Sequence, residues 1–312
     1  MFLLPDKLIN RFRAAGQEKF RLRDYVTELP AERIAKELGP EAIADKGEKL
    51  LETSRQRLSK AQELLYAADS YAVLLIFQAL DAAGKDGTIK HVMSGVNPQG
   101  CQVTSFKQPS HLELDHDFLW RCNAALPERG RIGIFNRSYY EEVLVVRVHP
   151  ELLANQKLPP PAQGQKPSSG KREESFWRER YDSINNFERH LTNNGTVILK
   201  FFLYLSKSEQ KRRFLERLDE PHKNWKFSAG DLVERGRWDD YLSAYEKAIA
   251  ATSSEYAPWY VIPADTKWLM RVLVADIVAS TIHGLNLSYP QLTPAELAKF
   301  AEYRQQLLSE PE

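Results

Sequence analysis

Apolar positions along the chain gather into five short β-rich runs, and much of the sequence between them follows a helical period. The runs are residues 71–77, 102–106, 131–135, 196–204 and 259–262. The first reads Tyr71-Ala-Val-Leu-Leu-Ile-Phe77, and the fourth reads Thr196-Val-Ile-Leu-Lys-Phe-Phe-Leu-Tyr204. Strands this uniformly apolar are covered on both faces. Alternating with helices, they predict an α/β fold of three layers around a parallel five-stranded sheet. Residues 30–69 carry Ala, Leu, Glu, Lys and Arg at helical spacing, with Leu50, Leu51, Leu58, Leu64 and Leu65 as the expected buried positions. Residues 157–172 are dominated by Pro, Gly and Ser and predict a mobile surface loop within one domain, because the strand pattern resumes at Thr196. The expected organisation is a helical extension over 1–69 packed on a core over 70–290, a lid at about 207–240, and a C-terminal helix over 291–312.

On a parallel sheet, ligands bind beyond the strand C-termini. The segment Gln78-Ala-Leu-Asp-Ala-Ala-Gly-Lys-Asp-Gly-Thr-Ile-Lys90 follows the first strand, and Thr88-Ile-Lys-His-Val-Met-Ser94 reads as a helix. Strand, Gly-containing turn, Lys and helix is the layout that points backbone N–H groups and a helix N-terminus at phosphate. The spacing departs from G-x-x-x-x-G-K-[ST]: Ala79 occupies the first glycine position and Asp86 that of the hydroxyl residue, while Asp81 adds a second carboxylate. A plain connecting turn is the alternative reading.

Two further segments carry candidate chemistry. Asn136-Arg137 ends the third strand, where phosphate-loop enzymes often place an acidic residue, and Arg137 can fork onto phosphate oxygens. Asn136 could equally cap a helix starting near Ser138. Between Lys211 and Arg237 the chain places Lys211, Arg212, Arg213, Arg217, Lys223, Lys226, Arg235 and Arg237, with Pro221 and Gly230 as breakers. Two basic helical segments around breakers describe a lid over a phosphate site. The interspersed Glu216, Asp219, Glu220, Asp231 and Glu234 would also suit a solvated helix face. His116 could be a phosphorylated nucleophile, or a histidine satisfying a hydrogen bond on a helix face.

Composition narrows the class. A net charge of +1 over 312 residues means that any polyanion site comes from local clustering, not from a global field. Cys101 and Cys122 make no disulfide framework and suit a reducing compartment. The segment Met1-Phe-Leu-Leu-Pro-Asp-Lys is charged too early for a signal peptide, and no run approaches the ~18 apolar residues of a membrane helix. A cytoplasmic protein that engages neither membrane nor nucleic acid is expected.

Together these segments resemble the polyphosphate kinase 2 family. The resemblance spans roughly residues 50–285 and is carried by Leu80–Ile89, Ser94–Gly100, Ser105–Pro109, Asp115–Arg121, Phe135–Glu141, Asp219–Phe227 and Pro258–Asp265. It implies a phosphate-loop kinase-like fold with a helical lid. The implied reaction moves a terminal phosphoryl group between inorganic polyphosphate and AMP, ADP or ATP, with Mg²⁺ (Mn²⁺ as a substitute) and with guanine nucleotides as an open alternative. Most of the family is similar at Asn136 but carries Asp; Asn followed by Tyr-Tyr-Glu-Glu looks like the subgroup that accepts both monophosphates and diphosphates. By resemblance, Asp81 orients the metal, Lys85 clamps phosphate, and Ala83, Gly84, Asp86, Gly87, Thr88 and Lys90 complete the phosphate-binding set. Asn136, Arg137 and Glu141 would meet the nucleotide, with Arg137 also catalytic. Arg213, Arg217, Lys223 and Lys226 of the lid would face polyphosphate, and a homodimer or homotetramer is implied. Competing readings are an ATP-dependent nucleotide kinase of the same fold, and a non-catalytic polyanion-binding module.

Overall fold

The computed structural model describes residues 3–14, 20–158 and 171–311. Most of the expected loop over 157–172 therefore lies outside the described residues; from Lys171 the chain is helical. Five strands, β1 (Ala72–Ala79), β2 (Cys101–Ser105), β3 (Ile132–Asn136), β4 (Thr196–Tyr204) and β5 (Trp259–Pro263), form one sheet in the order β2-β3-β1-β4-β5. Every pairing is parallel, with Val73 opposite both Ile132 and Val197. The expected strands are all present, with no end displaced by more than two residues and β4 matching at both ends.

Side chains along each strand alternate between two cores. Leu75 and Phe77 join Ile134, Phe201, Leu203 and Ile262 on one face, against the helices Glu48–Ala68 and Lys267–His283. Leu74 and Ile76 join Phe135, Phe202 and Val261 on the other, against Lys171–Asn193 and Trp238–Thr252. Of the leucines expected inside, Leu58 and Leu65 are fully buried, whereas Leu50, Leu51 and Leu64 lie half-buried at the edge of the core. The N-terminal helix Asp6–Phe12 puts Leu8, Ile9 and Phe12 into the first core. It is anchored where the backbone N–H groups of Leu3 and Leu4 donate to the buried Asp276 carboxylate at 2.9 and 3.0 Å. The helix Pro294–Leu308 buries no residue against the rest of the described residues. Among the described residues no helix is long and apolar enough to cross a membrane.

The strand order places the site. The chain leaves β1 toward β2 and β3 on one side, then crosses to β4 and β5 on the other. The C-terminus of β1 therefore sits at the reversal point, where such sheets open a crevice for ligands. The turn after β1 occupies that point.

Candidate active site

The turn from β1 into the helix Lys85–Val92 takes a phosphate-loop shape. Ala82 and Gly84 both adopt left-handed backbone conformations, with φ of 62° and 95°. Gly84 is free to do so because it lacks a Cβ. Lys85 is thus the first helical residue, with the helix N-terminus opening onto a cavity of about 460 Å³. Burial and the nearby Arg137 charge draw the Lys85 ammonium below its usual pKa, against the pull of Asp86, Glu141 and Asp81.

The end of β3 supplies the second half. Arg137 has φ of 65°, an uncommon conformation for a residue with a side chain, and its N–H donates to the Phe77 carbonyl at 3.1 Å. This turn aims the guanidinium between Asp81 (3.7 Å) and Glu141 (3.6 Å). Glu141 accepts at 2.9 Å from the Gln78 amide, in the amide orientation that also satisfies Ser138. Burial raises the Glu141 pKa despite the opposing charges of Arg137 and Lys85. Asn136 Nδ2 donates to Asp86 at 2.8 Å, while its Oδ1 is buried with no partner among the described residues. Asn136 is therefore not the helix cap that one reading allowed; Ser138 takes that part, accepting from the Tyr140 N–H at 3.1 Å. His116 makes the helix-face bond, with Nδ1 2.8 Å from the Leu112 carbonyl and its ring stacked on Trp120.

Arg137 and Glu141 also line a neighbouring slot of about 310 Å³, whose walls include Phe106, Pro109, Leu114 and Val146. Arg121 closes one side, its guanidinium 5.4 Å from the Phe106 ring centroid and donating to the Lys107 carbonyl at 2.8 Å. An apolar slot joined through one arginine to an anion-binding cavity has the shape for a molecule with a flat apolar end and a phosphate end.

The lid segment folds as the helix Lys207–Asp219, a 3₁₀ segment Pro221–Lys226 and the helix Ala229–Gly236. Arg213, Arg217, Lys223 and Lys226 all line the loop cavity. Arg217 donates to Asp231 at 3.2 Å, Lys223 pairs with Glu216 and Glu220, and Lys226 stands 5.1 Å from the Trp225 ring centroid. Arg213 differs from its expected role. It is buried, and Nη1 donates to the carbonyls of Ala82 and Ala83 at 2.9 Å each. Nη2 donates to Ala264 at 2.6 Å and Asp265 at 3.2 Å, and Nε to Glu209 at 2.7 Å. With its fork spent on backbone carbonyls, Arg213 is a staple holding the loop to the end of β5.

Two expected phosphate-binding positions, Thr88 and Lys90, lie outside the cavity. Thr88 is fully buried, with its hydroxyl donating to the Gly84 carbonyl at 3.0 Å, and Lys90 is exposed further along the helix. Conversely, Lys267 and Arg271 line the cavity without having been picked out from the sequence. The signal was available: they are basic residues four apart at the start of a helix whose following residues are almost all apolar and buried.

Among the described residues no group of three or more His, Cys, Asp or Glu side chains could cage a metal. Asp81, part-exposed in the cavity wall, nevertheless suits a hard divalent cation that takes one or two carboxylates and fills its other positions with phosphate oxygens and water.

The fold and this loop define a phosphate-loop kinase-like protein with a helical lid. The model of the family described as polyphosphate kinase 2 matches residues 42–158 and 169–289. An ADP-polyphosphate phosphotransferase of Rhodopseudomonas palustris is 60% identical over 83% of this chain and 87% of its own length. An AMP/ADP-polyphosphate phosphotransferase of Meiothermus ruber is 45% identical over 91% of this chain and 96% of its own. The crystal structure of polyphosphate kinase 2 from Arthrobacter aurescens superimposes with a TM-score of 0.75 at 38% identity, covering 93% of this chain and 95% of that one. The chain belongs to the polyphosphate kinase 2 family.

Proposed function

We propose that the protein transfers the terminal phosphoryl group of inorganic polyphosphate directly to ADP and to AMP, making ATP and ADP. The observation that carries this reading is the sharing of Arg137 by the loop cavity and the apolar slot, with its ion-pair partner Glu141 in the slot wall. A nucleotide with its base in the slot would present its phosphate at Arg137, facing a donor lying over Lys85 and beneath Arg217, Lys223 and Lys226.

Phosphoryl transfer asks little covalent chemistry of a protein; positioning and neutralisation of the equatorial oxygens supply most of the rate. Lys85, the N–H groups opening its helix, and Arg137 would surround the transferring group. Asp81 would hold Mg²⁺, or Mn²⁺, which shares its preference for oxygen ligands. The ion would supply neutralisation of donor and acceptor charge. The acceptor oxygen is already anionic near neutral pH, so no strong general base is required. That permits the neutral Asn136, which keeps its amide on Asp86 and adds no charge where acceptors of different length must fit.

The test exchanges donors at fixed ADP and Mg²⁺, with GDP as a parallel acceptor. Long-chain polyphosphate is expected to support ATP formation at a kcat/KM at least tenfold above that with GTP as donor. The reverse order would make this an NTP-dependent kinase, and turnover with neither donor would leave an anion-binding module.

A further inference from the structure

Cationic side chains continue beyond the loop cavity, along the outer face of the helix Lys85–Val92. Arg271 marks the exit. It reaches in from the helix Lys267–His283, and its Nη2 lies 4.0 Å from where a Cβ on Gly87 would stand, over the first turn of the loop helix. Its Nε is buried without a hydrogen-bond partner, and among the described residues no carboxylate lies within ion-pair distance of it. Its charged neighbours are instead Arg55 and Arg213, which with burial depress its pKa. Arg55 comes next. Its Nε donates to the His91 carbonyl at 2.8 Å, and among the described residues its single carboxylate contact is Glu52, at 3.5 Å. Lys90 follows, exposed on the loop helix, and burial, with the charges of Arg271, Arg55 and Lys90, depresses the pKa of His91.

Basic residues in the last turn of a helix ordinarily complement its dipole, and Lys90 does so. That does not account for Arg271, which belongs to another helix and keeps a buried donor unpaired beside like charges. An unpaired buried donor costs free energy unless a ligand satisfies it, and converging cations repel one another, a cost that an anion lying among them relieves. We propose that Arg271, Arg55 and Lys90 form a track for the trailing phosphates of a long polyphosphate chain whose reacting end lies over Lys85. The proposal rests on the polyphosphate reading above and adds that chain-length preference is set outside the catalytic cavity.

The experiment compares tripolyphosphate with long-chain polyphosphate as donors to ADP, in the wild type, in the double variant Arg55→Gln/Lys90→Gln, and in Arg271→Gln. The double variant is expected to lose about tenfold in kcat/KM with the long donor, through KM, and less than twofold with tripolyphosphate. The salt dependence of the long-donor KM should also flatten, because fewer cations meet the polyanion. Arg271→Gln should lose on both donors, more on the long one. Equal losses on both donors in the double variant, or none on either, overturn the track. A second arm measures equilibrium binding of long-chain polyphosphate without Mg²⁺ or nucleotide, where the double variant should bind about tenfold more weakly. If the wild type turned over neither donor, the functional reading would fail, while unchanged binding in the variants would defeat the track separately.

Discussion

Replacing Arg213 separates two roles that the same residue could play. If Arg213 were a lid cation facing polyphosphate, Arg213→Met would leave stability alone and raise the donor KM. The structure instead spends its guanidinium on four backbone carbonyls, Ala82, Ala83, Ala264 and Asp265, and on Glu209. Methionine would fill most of the volume but leave those carbonyls and the Glu209 carboxylate without their donor. Removing one partner of such a buried charged network costs roughly 3–5 kcal/mol. Water entering from the adjacent cavity would hold the loss toward the lower figure. For a chain of 312 residues, with an unfolding entropy of about 2.1 cal/mol/K per residue, this should lower Tm by roughly 5–8 °C. The loop would also lose the staple that fixes Ala82 and Ala83, and misplacing a reacting group by about 1 Å costs on the order of a hundredfold in kcat. Arg213→Lys is the control: a single ammonium keeps the charge but cannot span both pairs of carbonyls, so it should recover little of either loss. Calorimetry and steady-state kinetics on the two variants make the test. An unchanged Tm with a selectively raised polyphosphate KM would refute the staple and restore the lid-cation role.

Asp81→Asn and Lys85→Ala should each lower kcat by about a hundred- to thousandfold with Tm nearly unchanged; more than half the wild-type rate in Asp81→Asn at saturating Mg²⁺ would remove its metal role. Lys226→Gln should raise the polyphosphate KM more than Lys223→Gln, because Lys223 is already neutralised by Glu216 and Glu220 whereas Lys226 lies over exposed Trp225; equal effects would count against that assignment. Asn136→Asp would set a second carboxylate in hydrogen-bonding contact with Asp86, so it should change the AMP-to-ADP ratio of kcat/KM, and an unaltered ratio would show that this position does not set the acceptor. Burial holds the Glu141 pKa above its usual 4.5, so this carboxylate is lost as pH falls, at a higher pH than for an ordinary glutamate. The acid limb of kcat/KM should shift in Glu141→Gln, and superimposable profiles would exclude Glu141 as its source.

The sheet was legible because its strands are buried on both faces, which leaves an unbroken apolar signature in runs such as Val73–Phe77. The phosphate loop was legible because Gly84-Lys85 followed such a strand directly. Side-chain direction was not. Thr88 and Lys90 share a helix with Lys85, yet one points into the core and the other to solvent, and only the packing of the helix decides which. Arg213 shares a basic cluster with Lys211 and Arg212, and the cluster's composition could not reveal that this member faces inward under the loop. Lys267 and Arg271 carry a weaker signal: two cations four apart heading an apolar helix mark a helix start in sequence, but only the fold brings that start to the cavity. Asn136 kept two readings until Ser138 was seen to cap the following turn.

The measurement that bears most directly on the central claim is a chromatographic time course of AMP with long-chain polyphosphate and Mg²⁺, with no ATP added. ADP should rise first and then decline as ATP accumulates, and omitting polyphosphate should abolish both products. Nucleotide that stays as AMP until an NTP donor is supplied would contradict the account.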